Sequence, residues 1–287
     1  MPEISTGTLY IVATPIGNLE DMTFRAVRTL KEVHLIAAED TRHSRKLLTH
    51  YGITTRMTPY HDHNEQLKTD YLLGKLLAGE NIAIITDAGT PCIADPGYRI
   101  AKAATEKGIR TVPIPGASAI ITALSASGLP SDRFAFEGFL PPKQGKRKTR
   151  LLELKDDPRV IIFYEAPHRL AATLSDMAET VGRREVVIAR ELTKIHEELR
   201  HGAPAELLEH YSSQSVKGEI VLLLAPSTGQ SAAAEYDLET NLRRYLFEES
   251  LSVKDAAARA SAESGRPRSE IYALSLAMKA AFKASAE

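Results

Sequence analysis

The sequence predicts two α/β domains followed by a small helical domain, and three observations carry that expectation. Short, wholly apolar runs alternate with amphipathic stretches through the first 226 residues. The least generic residues stand directly after those apolar runs, where parallel sheets bind ligands. A stretch rich in Ser, Gly, Gln and Ala then separates a C-terminal part with helical spacing only. A length of 287 residues accommodates such a division at roughly 100–200 residues per domain.

The first domain is expected over 1–115. Leu9-Tyr10-Ile11-Val12-Ala13, Leu35-Ile36-Ala37-Ala38, Ile82-Ala83-Ile84-Ile85 and Thr111-Val112-Pro113-Ile114 read as strands buried on both faces, the pattern of a parallel sheet covered by helices. Leu67, Tyr71, Leu72, Leu76 and Leu77 have helical spacing between the second and third of them. The second domain is expected over 116–226. Its strands are Phe134-Ala135-Phe136, Val160 to Tyr164, Val186 to Ala189 and Ile220 to Leu224, with helices near 167–181 and 204–212. The remainder, 227–287, reads as a linker and a helix-turn-helix-like tail. Ser252-x-x-Asp255 resembles a capping box, and Gly265-Arg266-Pro267-Arg268-Ser269 separates two helices.

Composition excludes several classes. With 36 Lys plus Arg against 37 Asp plus Glu, the net charge is -1, so the chain is no uniformly basic nucleic-acid coat. A single cysteine, Cys92, rules out an internal disulfide and a multi-cysteine zinc site. The N-terminus carries no secretory signal, and the apolar run Ile220 to Ala225 is far short of a membrane span; the expectation is a cytoplasmic protein that does not engage membranes. No G-x-G-x-x-G or Walker A pattern is present, which disfavours a nicotinamide oxidoreductase or a P-loop enzyme.

Asp87 through Gly97 is the densest motif: two glycines, two prolines and small residues after a buried strand expose backbone to a flat or polar ligand. The plain alternative is a tight turn with Asp95 capping a helix that begins at Pro96. Arg190 and Glu191 at the end of another buried strand must be paired or line a cleft. His61-x-His63 with nearby carboxylates has the flavour of a metal site, but the spacing is weak, and no metal is expected. Lys143, Lys146, Arg147, Lys148 and Arg150 place five basic residues in eight positions. They read either as a solvated helix start or as a flexible phosphate-binding arm, with Arg42, Arg45 and Lys46 adding charge. Arg259, Arg266 and Arg268 cluster around the tail's turn, where they either touch RNA or serve packing.

Seven motifs stand in a familiar order: Thr14-Pro15-Ile16-Gly17-Asn18-Leu19, Glu39-Asp40-Thr41-Arg42, His63-Asn64-Glu65, Asp87-Ala88-Gly89-Thr90-Pro91, Phe136 to Pro141, Tyr164 to Arg169 and Ala189 to Lys194. In this the chain resembles the bacterial 16S rRNA (cytidine-2'-O)-methyltransferases of the tetrapyrrole methylase superfamily, closely over 7–226, with a tail that also fits. The resemblance implies a class III methyltransferase that uses S-adenosylmethionine (AdoMet) as co-substrate, held largely by main-chain atoms between two α/β domains, and a homodimer. Transferred motif by motif, it implies cofactor contacts from Gly17, Gly89, Thr90, Ile93, Ser118, Ala119, Tyr164, Ala166, Leu192, Gly218 and Glu219. Where many members have Gly-Asp-Pro this chain has Gly89-Thr90-Pro91, and Asp87 is the candidate replacement for the missing acid.

The implied reaction is methylation of a cytidine 2'-hydroxyl in the decoding region of 16S rRNA, with the assembled 30S subunit as the expected partner. A weakly acidic hydroxyl benefits from a base. Glu39, Asp40, His63, Glu65 and Lys194 remain open for that role, the Glu39/Asp40/Arg42 cluster and His63 standing first. The RNA-binding candidates are Arg45, Lys46, Lys143, Lys146, Arg147, Lys148, Arg150, Arg266 and Arg268. The rivals are a methyltransferase of the same fold acting on a tetrapyrrole or a protein side chain, and a non-catalytic RNA-binding assembly factor.

Overall fold

A computed structural model describes residues 6–62, 64–213, 215–227, 237–264 and 266–284. They fall into two compact units, one of Met1–Leu151 with Val160–Ala225, the other of Leu152–Arg159 with Pro226–Glu287. Both sheets belong to the first.

The first sheet contains β1 (Leu9–Val12), β2 (Leu35–Ala38), β3 (Met57–Pro59), β4 (Ile82–Ile85) and β5 (Thr111–Ile114), in the order β3-β2-β4-β1-β5 and parallel throughout. Helices α1 (Phe24–Glu32), α2 (Thr41–His50), α3 (Glu65–Leu77) and α4 (Tyr98–Glu106) connect them. The continuous apolar strands divide by alternation. Ile36, Ala38, Ala83 and Ile85 join Ala26 and Leu30 of α1 and Leu47 and Leu48 of α2 in one core. Leu35, Ala37, Ile82 and Ile84 join Leu72 and Leu76 of α3 and Ile100 and Ala104 of α4 in another. Each large aliphatic side chain so buried contributes about 1.5–3 kcal/mol of transfer free energy. The edge strand β3 has no sequence signal because it is three residues long and ends on Pro59, a residue tolerated at a sheet edge.

The second sheet, in the order β6-β7-β10-β8-β9, is mixed. It contains β6 (Phe134–Phe139), β7 (Val160–Glu165), β8 (Val186–Arg190), β9 (Glu198–Gly202) and β10 (Ile220–Leu224). Only β6 and β7 are parallel; β10 runs antiparallel to both β7 and β8, and β9 antiparallel to β8. The antiparallel β10 therefore brings its N-terminal end beside the carboxyl ends of β7 and β8, since Ile220 pairs with Glu165 and Arg190. Helices α5 (Ala119–Ala126), α6 (Gln144–Glu153), α7 (Leu170–Thr180) and α8 (Pro204–Ser212) complete this part. Ile16, from the loop after β1, packs with Ile120, Leu124, Ile162 and Val221 in the second sheet's core.

Three expectations are corrected. Strand β6 continues three residues beyond Phe136, by a bulge at which Gly138 adopts a left-handed φ of 69°. Helix α4 begins at Tyr98 after Gly97, with no side-chain cap, so Asp95 does not cap it. The basic stretch at 143–150 is no flexible arm but the first turns of α6, whose Arg147 and Leu151 are buried.

The second unit has its own core, built from Leu238, Leu242, Tyr245, Leu246, Ala256, Ala257, Ala260 and Ile271. It consists of α9 (Leu238–Arg243) continuing into a π turn over Arg244–Glu248, α10 (Val253–Ser264) and α11 (Arg268–Ala284). Ser252 caps α10, its Oγ accepting from the Asp255 N–H at 3.2 Å. Among the described residues no helix is long and apolar enough to cross a membrane.

Candidate active site

A cavity of about 400 Å³ opens where the carboxyl ends of β1, β4 and β5 face those of β7 and β8. Its wall on the first sheet comes from Ile16, the loop Ala88 to Asp95, and Ser118 and Ala119. On the second sheet it comes from Phe139, Tyr164 to Pro167, Ala189, Leu192 and Gly218 to Val221.

Local hydrogen bonds fix the loop after β4. Thr14 and Gly89 exchange backbone bonds at 2.9 and 3.1 Å, tying it to the loop after β1. Thr90 Oγ1 donates to the Ala117 carbonyl at 3.3 Å. Cys92 and Ala94 adopt φ of 73° and 61°, unusual for residues with a Cβ, and the Cys92 N–H closes the turn onto Pro96 O at 3.4 Å. Beyond it Glu65 Oε1 accepts from the Gly97 N–H at 3.2 Å.

The opposite wall is equally tied. The side chain of Glu165 is fully buried, accepting from Ala166 N–H at 2.8 Å and Thr173 Oγ1 at 2.6 Å and pairing with Arg169 Nε at 3.2 Å. Arg169 donates in turn to the Leu140 carbonyl at 2.6 Å, holding the chain after β6. Lys194 Nζ bridges Glu191 Oε1 at 2.8 Å and Glu219 Oε2 at 3.2 Å. The Lys194 side chain lies against Gly17, where a Cβ would come within 2.6 Å of it. Gly218, at φ 91°, leaves room for the Glu191 carboxylate, which an added Cβ would meet at 2.2 Å. Arg190 pairs outward with Glu198 at 2.9 Å.

The structure thus places Gly89, Thr90, Ile93, Ser118, Ala119, Tyr164, Ala166, Leu192, Gly218 and Glu219 around one cavity. Gly17 stands outside the lining and supports it through Lys194. Asp87 is also outside: its Oδ1 accepts from the Asp40 N–H at 3.2 Å, so it does not replace the acid missing at Thr90. Asp95 lines the cavity instead. Sequence reading missed it because an Asp before Pro-Gly has the signature of a helix cap. Ile16, Phe139, Glu165 and Val221 were missed as well, since only the meeting of two sheets aims them inward.

Of the catalytic candidates, Glu39 and Asp87 are linked, Asp87 N–H donating to Glu39 Oε2 at 3.3 Å, and burial pushes the Glu39 carboxyl up. Asp40 caps α2 through Arg42 N–H at 2.8 Å and pairs with Arg42 Nη2 at 3.1 Å, which holds its carboxyl down at about 2. Arg42 is exposed and Asp40 partly so, and this local pair makes Asp40 a poor proton acceptor. His63 lies outside the described residues.

The basic candidates separate. Arg45, Lys46, Lys143, Lys146, Arg266 and Arg268 are exposed. Arg147 is buried against Asp176 at 2.6 Å, its guanidinium consumed by the fold; its reading as a phosphate contact is corrected accordingly. Lys148 pairs with Glu179 at 2.6 Å and Arg150 with Glu137 at 2.7 Å. In the tail Arg259 is held by Glu249 and Glu263.

The family description Tetrapyrrole (Corrin/Porphyrin) Methylases matches residues 8–208, and that of an RsmI C-terminal HTH domain matches 232–279. The chain belongs to the tetrapyrrole methylases. Within them it groups with proteins named ribosomal RNA small subunit methyltransferase I. The one from Synechocystis is 48% identical over 96% of this chain and 99% of its own length. The one from Escherichia coli O157:H7 is 49% identical over 95% and 96%. Solved tetrapyrrole methylases share the fold. Cobalt precorrin-4 methyltransferase superposes with a TM-score of 0.59 at 14% identity over 78% of this chain and 97% of its own. A Thermus thermophilus uroporphyrin-III C-methyltransferase complexed with S-adenosyl homocysteine gives 0.54 at 18% over 76% and 97%.

A tetrapyrrole methylase takes AdoMet, and the cavity suits it. Its floor of Ile16, Leu192, Ile220 and Val221 offers apolar surface to a flat ring. The rim of small residues leaves main-chain polar groups accessible, and the exposed Glu219 carboxylate adds negative charge beside it. Among the described residues no group of His, Cys, Asp and Glu could hold a metal ion.

Proposed function

We propose that the chain transfers a methyl group from AdoMet to the 2'-hydroxyl of a cytidine in the decoding region of 16S rRNA, acting in the cytoplasm as a homodimer on the assembled 30S subunit. The observation that carries this reading is near-full-length identity, close to one residue in two, with enzymes named for small-subunit rRNA methylation, tail included. The cavity supplies the chemistry such an enzyme needs. AdoMet presents its methyl carbon on a positively charged sulfur, which makes the carbon electrophilic. The chain's own task is then to orient cofactor and hydroxyl, exclude water and accept a proton. We assign the orienting of the cofactor to main-chain groups of the loop after β4 and of Ala166 and Gly218, residues that line the cavity. Exposed Arg45, Lys46, Lys143 and Lys146, with Arg266 and Arg268 in the tail, supply cationic contacts for rRNA phosphates.

The test compares rRNA nucleosides from cells with and without this chain by mass spectrometry, and incubates the purified protein with labelled AdoMet and 30S subunits. The expected result is loss of one 2'-O-methylcytidine in the deletion and label in 16S rRNA. Label entering only a tetrapyrrole or a protein would overturn it, as would an unchanged nucleoside profile.

A further inference from the structure

Three acidic residues line the cavity, and the surroundings of their carboxylates differ. Glu165 is saturated by Ala166, Thr173 and Arg169. Glu219 is paired with Lys194. Asp95 alone of the three has no hydrogen bond or ion pair among the described residues. A carboxylate half-buried at a cavity wall without a donor is costly, and the fold gains nothing from it. It does not cap α4. Nor does it move freely: the left-handed Cys92 and Ala94 precede it, and bonds to Pro96 O and from Gly97 N–H pin the turn on either side.

Building on the rRNA methyltransferase reading, we infer that Asp95 is the general base of methyl transfer. As the substrate hydroxyl oxygen bonds to the methyl carbon, the carbon–sulfur bond breaks and its electron pair stays on sulfur. The hydroxyl proton passes to a carboxylate oxygen of Asp95. The positive charge of the sulfonium is thereby balanced by the proton released, and the products are a neutral thioether, a methyl ether and a protonated Asp95. The half-exposed carboxyl then returns the proton to water.

The groups facing Asp95 favour this role. The charges of Glu39 after β2, Asp87 after β4 and Asp62 before α3 act on it, and its own charge acts on the phenol of Tyr164 on β7. Burial first, then those carboxylates, pushes the Asp95 carboxyl up to about 7, where a base is both available and strong enough to act. Glu39 is pushed up too, but it accepts from Asp87 N–H and stands outside the cavity lining.

The test measures methylation of 30S subunits across pH by wild type and Asp95→Asn, with AdoMet and S-adenosylhomocysteine affinities measured by calorimetry. Wild-type kcat/KM for AdoMet, which reports groups of the free enzyme, is expected to rise with pH to a plateau above about 7. Asp95→Asn should lower kcat by about 10²–10⁴-fold, abolish that limb and leave both affinities unchanged. Asp95→Glu should regain part of the rate with a shifted limb. Retained S-adenosylhomocysteine affinity in the Asn variant reports an intact fold; if it is lost, the Glu variant decides alone, and absence of its rate and limb overturns the inference. An unchanged kcat in Asp95→Asn overturns it, as does a selective loss of AdoMet affinity, which would make Asp95 an anchor for the sulfonium charge. Wild-type protein that methylates no 30S subunit overturns the rRNA reading itself, and this inference with it.

Discussion

Arg147 Nε lies 2.6 Å from Asp176 Oδ2, with the two side chains 5% and 0% exposed. Around this pair Gln144 donates to Asp176 Oδ1 at 3.1 Å and Arg147 to the Pro142 carbonyl at 3.3 Å, so the start of α6 is fastened to α7. Removing one partner of a buried pair leaves an uncompensated charge and costs about 3–5 kcal/mol. Asp176→Ala and Arg147→Ala should therefore each lower the melting temperature markedly in thermal denaturation. A stable Arg147→Ala protein with only its rRNA affinity impaired would contradict the structural role.

Lys143 and Lys146 share that helix start but face solvent. Reversing both to Glu should weaken rRNA binding and flatten the dependence of log affinity on log salt, by roughly one unit for each phosphate left without its cation. Affinity for S-adenosylhomocysteine should not change. Filter binding over a salt series checks this, and an unaltered slope would remove the two lysines from the RNA surface.

Gly218 has a φ of 91°, and a Cβ there would collide with the Glu191 carboxylate at 2.2 Å. Because Glu191 is held by Lys194 and by the Glu219 N–H at 3.2 Å, it cannot step aside without releasing the cavity wall. Gly218→Ala should cut AdoMet affinity about tenfold or more, the equivalent of about 1.4 kcal/mol, with little loss of secondary structure. Calorimetry beside circular dichroism separates the two effects.

The Asp95 carboxyl also carries a signature in stability. It is raised in the folded chain from an unfolded value near 3.8 to about 7, so between those values the folded state binds more protons than the unfolded state. Stability must then fall as pH rises through that window, and the penalty is complete above it. Asp95→Asn removes the charge and should melt higher than wild type at pH about 8, with the difference gone near pH 4. Equal melting at both pH values would show that the carboxyl is not strained by its surroundings.

Much of the site was legible as loops but not as geometry. Thr14 to Leu19, Asp87 to Gly97 and Tyr164 to Arg169 announce themselves because a buried strand followed by Gly, Pro and charge has few structural uses. What the pattern conceals is direction. Asp87 and Asp95 stand eight residues apart in one loop, yet Asp87 turns to the Asp40 amide and Asp95 lines the cavity. The difference depends on the left-handed turns at Cys92 and Ala94, for which neither residue type gives a signal.

By itself the sequence determined which segments are buried strands, that two sheets and a helical tail follow one another, and which loops gather at carboxyl ends. Those are local properties, written in hydrophobic period and turn chemistry. Only the tertiary structure decided that β10 runs antiparallel and brings Gly218 and Glu219 to the cavity, that Arg147 is spent on Asp176 while its neighbour Lys146 faces water, and that Asp95 is left without a partner among the described residues. A charge's role depends on what the fold places within a few ångströms of it, and those neighbours lie far away along the chain.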